Sequence, residues 1–250
     1  MTNIERVVGE IKTWLKNKAP TLTDDQKSRM YNILNSEDPD FIAYGNKHSD
    51  IEKFVRNIHN KYELSYQDSA SIYEKLIKSK VHDEKVAGLF LLNRSKKYFN
   101  KETVEMIYDI IPENFDTWAI TDTTMIRVLG PFLGKKGNDV LVKETIEKWS
   151  KSENLWVRRA SLVILLKVIM IRRDYFISES FMFDLAEKML QYEDDYILKG
   201  VGWLLKTYSK YKPDVIIEYL NKNKKRLPRL VLRYASEKLP KETRTKLLKK

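Results

Sequence analysis

Cysteine is absent from this 250-residue chain. Disulfides, zinc–thiolate centres, iron–sulfur clusters and a cysteine nucleophile are thereby excluded, and a reducing, cytoplasmic address is expected. Histidine is almost as scarce: His48, His59 and His82 are the only three, and their spacing matches no metal-binding motif. No GxxxxGK[ST] loop or GxSxG elbow occurs either. No metal, no cofactor of nucleotide or other type and no serine-hydrolase chemistry is therefore expected. Glycine (8) and proline (7) are too few to mark an interdomain hinge, so residues 1–250 read as a single domain. Apolar runs are short. None reaches the roughly 18 residues of a membrane span, and Met1 to Lys18 lacks the unbroken apolar core of a signal peptide, so no membrane association is expected.

What is present is charge, unevenly placed. The net charge is +11, and residues 206–250 alone hold 15 Lys/Arg against 4 Asp/Glu, so the remainder of the chain is neutral. A segment this basic attracts a polyanion, with DNA or RNA the leading partner. Apolar residues at helical spacing within it (Val215, Ile216, Tyr219, Leu220, then Leu230, Val231, Tyr234) mark it as folded. The alternatives are a face that only aids solubility and a disordered Lys-rich tail.

Elsewhere the apolar period is that of helices. Ile4, Val7, Val8, Ile11 and Leu15 follow the i, i+3, i+4, i+7 rule behind a Thr2/Glu5 capping box, and similar boxes stand at Thr23/Gln26 and Ser49/Glu52. Further helices are predicted over 65–79, 83–99, 100–111, 116–133 (capped by Asp116), 138–150 and 152–171 (capped by Ser152). Four more start at Ser178, Asp194, Pro213 and Pro228. Short connections such as Pro112-Glu113-Asn114 and Gly134-Lys135-Lys136-Gly137 join them as pairs. Strand-type alternation is missing. The fold expected is all-α, a right-handed α-α superhelix (solenoid) of HEAT-like helix pairs. Trp118, Arg159 and Trp203 are spaced by 41 and 44 residues, about one HEAT repeat of roughly 40–47, which would align them on one concave surface.

Three segments carry candidate chemistry. In Phe115 to Asp122, Trp118 and Asp122 are four apart and so share a helix face. Asp has poor helix propensity and gains little from the dipole beyond the first turn. The competing reading is a surface Asp beside a half-buried Trp. In Ser152 to Ala160, Arg158 and Arg159 fall early in a very apolar helix, where cations oppose the dipole; a phosphate clamp and salt bridges to neighbouring helices both account for them. In Lys199 to Lys206, Gly200 and Gly202 interrupt a helical pattern at about 1 kcal/mol each relative to Ala. They permit either tight helix packing or the approach of a ligand beside Trp203, whose ordinary role would be core packing. The Gly134 to Gly137 loop reads as a turn.

Taken together, FDTWAITD (115–122), SENLWVRRA (152–160) and KGVGWLLKTYSKYKPD (199–214) resemble the AlkD-like DNA alkylation repair enzymes, HEAT-like-repeat DNA glycosylases. The likeness is strongest from Asp83 onward. The resemblance implies that Asp122 is the catalytic carboxylate, that Trp118 and Trp203 flank the lesion, and that Arg159 contacts the DNA backbone. Its neighbour Arg158, and Lys206 and Arg233, are further DNA-contacting candidates. Ala119 stands where many relatives carry an acid, and Thr117 where some carry an aromatic. The implied partner is double-stranded DNA with alkylated bases; a monomer is the default expectation, cytoplasmic and nucleoid-associated if in a prokaryote. The implied activity is excision of N3- or N7-alkylated purines in base excision repair. Two alternatives stand beside it: a catalytically silent DNA-binding paralogue, and a HEAT-type scaffold for protein partners.

Overall fold

A computed structural model describes residues 3–36, 38–172 and 178–249. Fifteen α-helical segments run through them, with one short 3-10 turn (Lys96–Tyr98) and one π-helical segment (Thr124–Leu129). The only β-type pairing among the described residues is an isolated bridge between Ile42 and Val81. The expected all-α class is borne out. The chain divides into two compact units, Met1–Val128 and Leu129–Lys250.

The first unit holds α1 (Ile4–Asn17), α2 (Asp24–Leu34), α3 (His48–Lys61), α4 (Tyr66–Leu76), α5 (His82–Arg94), α6 (Lys101–Asn114) and α7 (Trp118–Thr123). Its centre is α5, which is buried on every side from His82 to Leu92, the pattern of a helix enclosed by others. α3, α4 and α7 pack against it, and α1 packs on α3, α4 and α5. The helix α2 differs: none of its residues is fully buried.

The second unit holds α8 (Gly130–Leu133), α9 (Asp139–Trp149), α10 (Leu155–Ile171), α11 (Glu179–Met189), α12 (Asp195–Tyr208), α13 (Pro213–Asn223), α14 (Arg229–Ala235) and α15 (Lys241–Leu248). Here α10 is the enclosed helix. α10, α12 and α14 pack in succession, and α9, α11 and α13 each back onto a member of that row. The basic C-terminal segment is folded, with Ile216, Leu220, Val231, Leu232 and Leu247 buried beneath its charges.

Several predicted boundaries move. Asn3 caps α1 by accepting from the Arg6 N–H; Thr2 lies outside the described residues. The Ser49/Glu52 box does not form, because α3 already opens at His48, with Lys47, two residues before Ser49, as an N-cap that makes no side-chain bond. Asn154, not Ser152, caps α10. The predicted loop at Pro112 is the last turn of α6, where only one intrahelical bond is lost to the proline. The single helix expected over 116–133 is instead α7, the π-helical segment and α8. The boxes at Thr23/Gln26 and Ser65/Asp68 form as their chemistry dictates. Gly137, at φ +95, closes the loop after α8 as a turn.

Candidate functional site

In the first unit the candidate chemistry sits on α7. Thr117 caps the helix, accepting from the Ile120 N–H at 3.3 Å, so Trp118 is its first residue and Asp122 follows one turn later on the same face. Asp116, predicted as the cap, is occupied elsewhere: its carboxylate meets Lys85 Nζ at 2.8 Å, and Lys85 also donates to the Asn114 carbonyl. This buried pair fixes the entry to α7. Beyond it, Thr121 and Thr124 donate back to the carbonyls of Thr117 and Ile120, a pattern that bends helices. The widened π turn begins at Thr124, two residues after Asp122. Such segments recur at functional sites because they re-aim side chains.

The Trp118 ring is half-buried, and its Nε1–H donates to the Ile33 carbonyl at 2.8 Å. The last turn of α2 therefore sets the indole's orientation. Nothing in the sequence signalled this anchor, since the two residues are 85 apart. Asp122 is buried, at 8% exposure, and Thr117, Thr121 and Thr124 are fully buried, so the carboxylate sits within a tightly packed turn whose more open positions are Trp118, Ala119 and Thr123. Ile33 also walls a cleft of about 370 Å³ together with Met30, His48, Ile51 and Val86.

Just past the π turn's start, Arg127 lies over the Phe90 ring at 4.5 Å and pairs with Glu52 at 2.6 Å. His48 meets the same ring edge-on at 5.5 Å. Desolvation and the nearby Arg127 cation hold the His48 imidazole below its usual range, so it is neutral at pH 7.

In the second unit both arginines of α10 are buried. Arg158 stacks on the Tyr192 ring at 4.1 Å and donates to the Ser152 carbonyl at 2.8 Å. Arg159 donates to the Tyr196 carbonyl at the start of α12. The Arg159 bond ties α10 to the first turn of α12, and together these contacts explain how a helix enclosed by others tolerates two guanidiniums. The glycine pattern in α12 is resolved in favour of packing: Gly200 faces Leu162 of α10, and Gly202 faces Tyr234 of α14. Trp203, next to Gly202, is half-buried on α12. Lys206, further along, pairs with Glu237 at 3.0 Å, while Arg233 is exposed on α14. Tyr234 lies beneath both cations, each 5.8 Å from its ring centroid. Sequence reasoning missed Tyr234 as their shared platform, although the glycine opposite it was a usable signal.

Against this geometry, residues 21–239 match the DNA alkylation repair enzyme family. The chain belongs to that family. Among solved structures, it is similar to a predicted DNA alkylation repair enzyme from Enterococcus faecalis, with 17% identity and a TM-score of 0.70 over 90% of this chain and 100% of that one. At that identity the likeness establishes the shared all-α fold. No curated protein matches the chain in sequence. Among the described residues no helix is long and apolar enough to cross a membrane, and no group of three or more His, Asp or Glu side chains is arranged to hold a metal ion. The family fits a protein that works on DNA.

Proposed function

We propose that the chain is a DNA glycosylase that releases N3- or N7-alkylated purines from duplex DNA. The observation that carries the reading is the placement of Trp118 and Asp122 one turn apart on α7 in a chain of the alkylation repair family. A purine alkylated at N3 or N7 is cationic and leaves as a neutral base, while an oxocarbenium-like charge develops at C1′ of the sugar. The substrate is thus already activated. The protein has to supply a negative charge near C1′ and an oriented water, the roles assigned to the Asp122 carboxylate. An indole face attracts a cation by about 0.5–2 kcal/mol, so Trp118, and Trp203 by the family resemblance, would favour the charged nucleotide over its neutral neighbours.

The DNA backbone is assigned to Arg233 and Lys206, with Lys206 exchanging Glu237 for a phosphate. Arg159 is assigned to it by the family resemblance and Arg158 as its partner in a phosphate clamp, while the buried Arg159 guanidinium also holds the start of α12. Base release from a duplex carrying N7-methylguanine, detected by cleavage at the abasic site, tests the reading. Release by the wild type and its loss of about 100-fold or more in Asp122→Asn, in line with the removal of an electrostatic catalyst, are expected. Release undiminished in the variant would remove Asp122 from its role.

A second reading, duplex binding without excision, draws on the depth of Asp122 at 8% exposure and on Ala119 and Thr117 beside it. It predicts salt-dependent duplex binding with no base released.

A further inference from the structure

The first unit carries a second candidate site, remote in sequence from α7. Trp14 of α1 and Phe54 of α3 stack face to face, with ring centroids 4.1 Å apart and planes 4° from parallel. The stacked pair is half-exposed and walls a cleft of about 420 Å³, within the roughly 300–1,000 Å³ of ligand pockets. Lys18, Lys47 and Lys53 also line it, against a single acid, Asp50.

Lys18, Lys47 and Lys53 pair with no carboxylate among the described residues, unlike Lys12, Lys61 and Lys85, and what sets them apart from other unpaired lysines is that they share one cleft with the stacked rings. Lys47 is in addition the N-cap of α3 and makes no capping bond. A cation there opposes the helix dipole. A bound anion would offset that opposition.

We propose that this cleft binds single-stranded DNA, with phosphates on Lys18, Lys47 and Lys53 and a base against the Trp14/Phe54 stack. Aromatic stacking worth roughly 1–3 kcal/mol per base beside unpaired cations is the combination by which single strands are held without sequence preference. The site is independent of Asp122 and of any action on alkylated bases.

The experiment uses the full chain and an undamaged thymidine oligomer of about eight nucleotides. Half of its bases are bromouracil for ultraviolet cross-linking, and affinity is read by anisotropy across a salt series. Cross-links mapping to Trp14 or Phe54 are expected. A Lys18→Ala/Lys47→Ala/Lys53→Ala variant, all three side chains being exposed, should bind at least about tenfold more weakly. Its salt slope should be smaller by about 2, from roughly 0.7 per phosphate contact. Cross-links confined to residues 206–250, or a triple variant with unchanged affinity and slope, would overturn the proposal. Inorganic polyphosphate separates charge from stacking: if it protects the lysines as well as the oligomer does while no aromatic cross-link forms, the base-stacking half is wrong. None of these results depends on whether alkylated purines are released.

Discussion

A Cβ added to Gly202 would lie 2.4 Å from the Cβ of Tyr234, so α12 and α14 approach each other through the space a methyl group would fill. Gly202→Ala should therefore destabilise the second unit. The roughly 1 kcal/mol of helix propensity gained is outweighed by overpacking, which costs about 1–3 kcal/mol or more when neither atom can swing away. Gly200→Ala is the control: its nearest neighbour is the far end of Leu162, at 2.9 Å, so its effect should stay within about 1 kcal/mol of zero. Urea midpoints of the two variants, measured together, check this.

The Lys85–Asp116 pair, with side chains 4% and 12% exposed, makes a different prediction. Lys85→Met leaves a buried carboxylate without its cation and should cost about 3–5 kcal/mol. Replacing both partners, as Lys85→Met/Asp116→Leu, should recover much of the loss. A double variant no more stable than the single one would show that the carboxylate's isolation is not the cause.

Burial pushes the His82 imidazole down to about 4 from an ordinary 6.5. The groups facing it are Asp83, Asp116, His48 and Lys85. Between those two values the unfolded chain binds a proton that the folded chain refuses, so stability rises with pH across this window and falls on acidification from 6.5 towards 4. The loss at pH 5 should be about 2 kcal/mol, at 1.36 kcal/mol per unit. His82→Gln should flatten that part of the profile, while the depressed His48 and His59 leave a residual slope of the same sign.

Trp118→Phe keeps an aromatic face but removes the donor to Ile33. A loss of about 1 kcal/mol is expected, and the more telling readout is amide exchange. Protection should drop over residues 24–34 and remain unchanged in α5. Uniform loss across both would point to global destabilisation instead.

For the basic segment, Arg233→Ala should lower duplex affinity and reduce the slope of log affinity against log salt by about 1, the signature of one lost phosphate contact. An unchanged slope would place Arg233 off the DNA.

Helices were legible in the sequence wherever their start was chosen locally. Thr23 with Gln26, Ser65 and Asp194 cap as written because the donor and acceptor are three residues apart and need no help from the rest of the chain. Asp116 misled because a lysine 31 residues away holds it. The packing role of Gly200 and Gly202 was readable as one of two alternatives, and the structure selects it. The π turn carried no signal in the apolar period, which runs unbroken through 116–133. At the site, the shared face of Trp118 and Asp122 followed from spacing alone. The Ile33 anchor and the tyrosines under Arg158, Lys206 and Arg233 depend on tertiary approach, which spacing does not encode.

The hydrogen bond from Trp118 to Ile33 couples a half-buried indole to a helix that buries none of its own residues. Tyr31 of that helix is tied to the following loop, its hydroxyl accepting from the Ala43 N–H and its ring meeting Phe41 edge-on. Displacing α2 would shift the carbonyl that orients the indole, so substitutions at positions 31 and 41 are expected to alter the ring's pose from a distance.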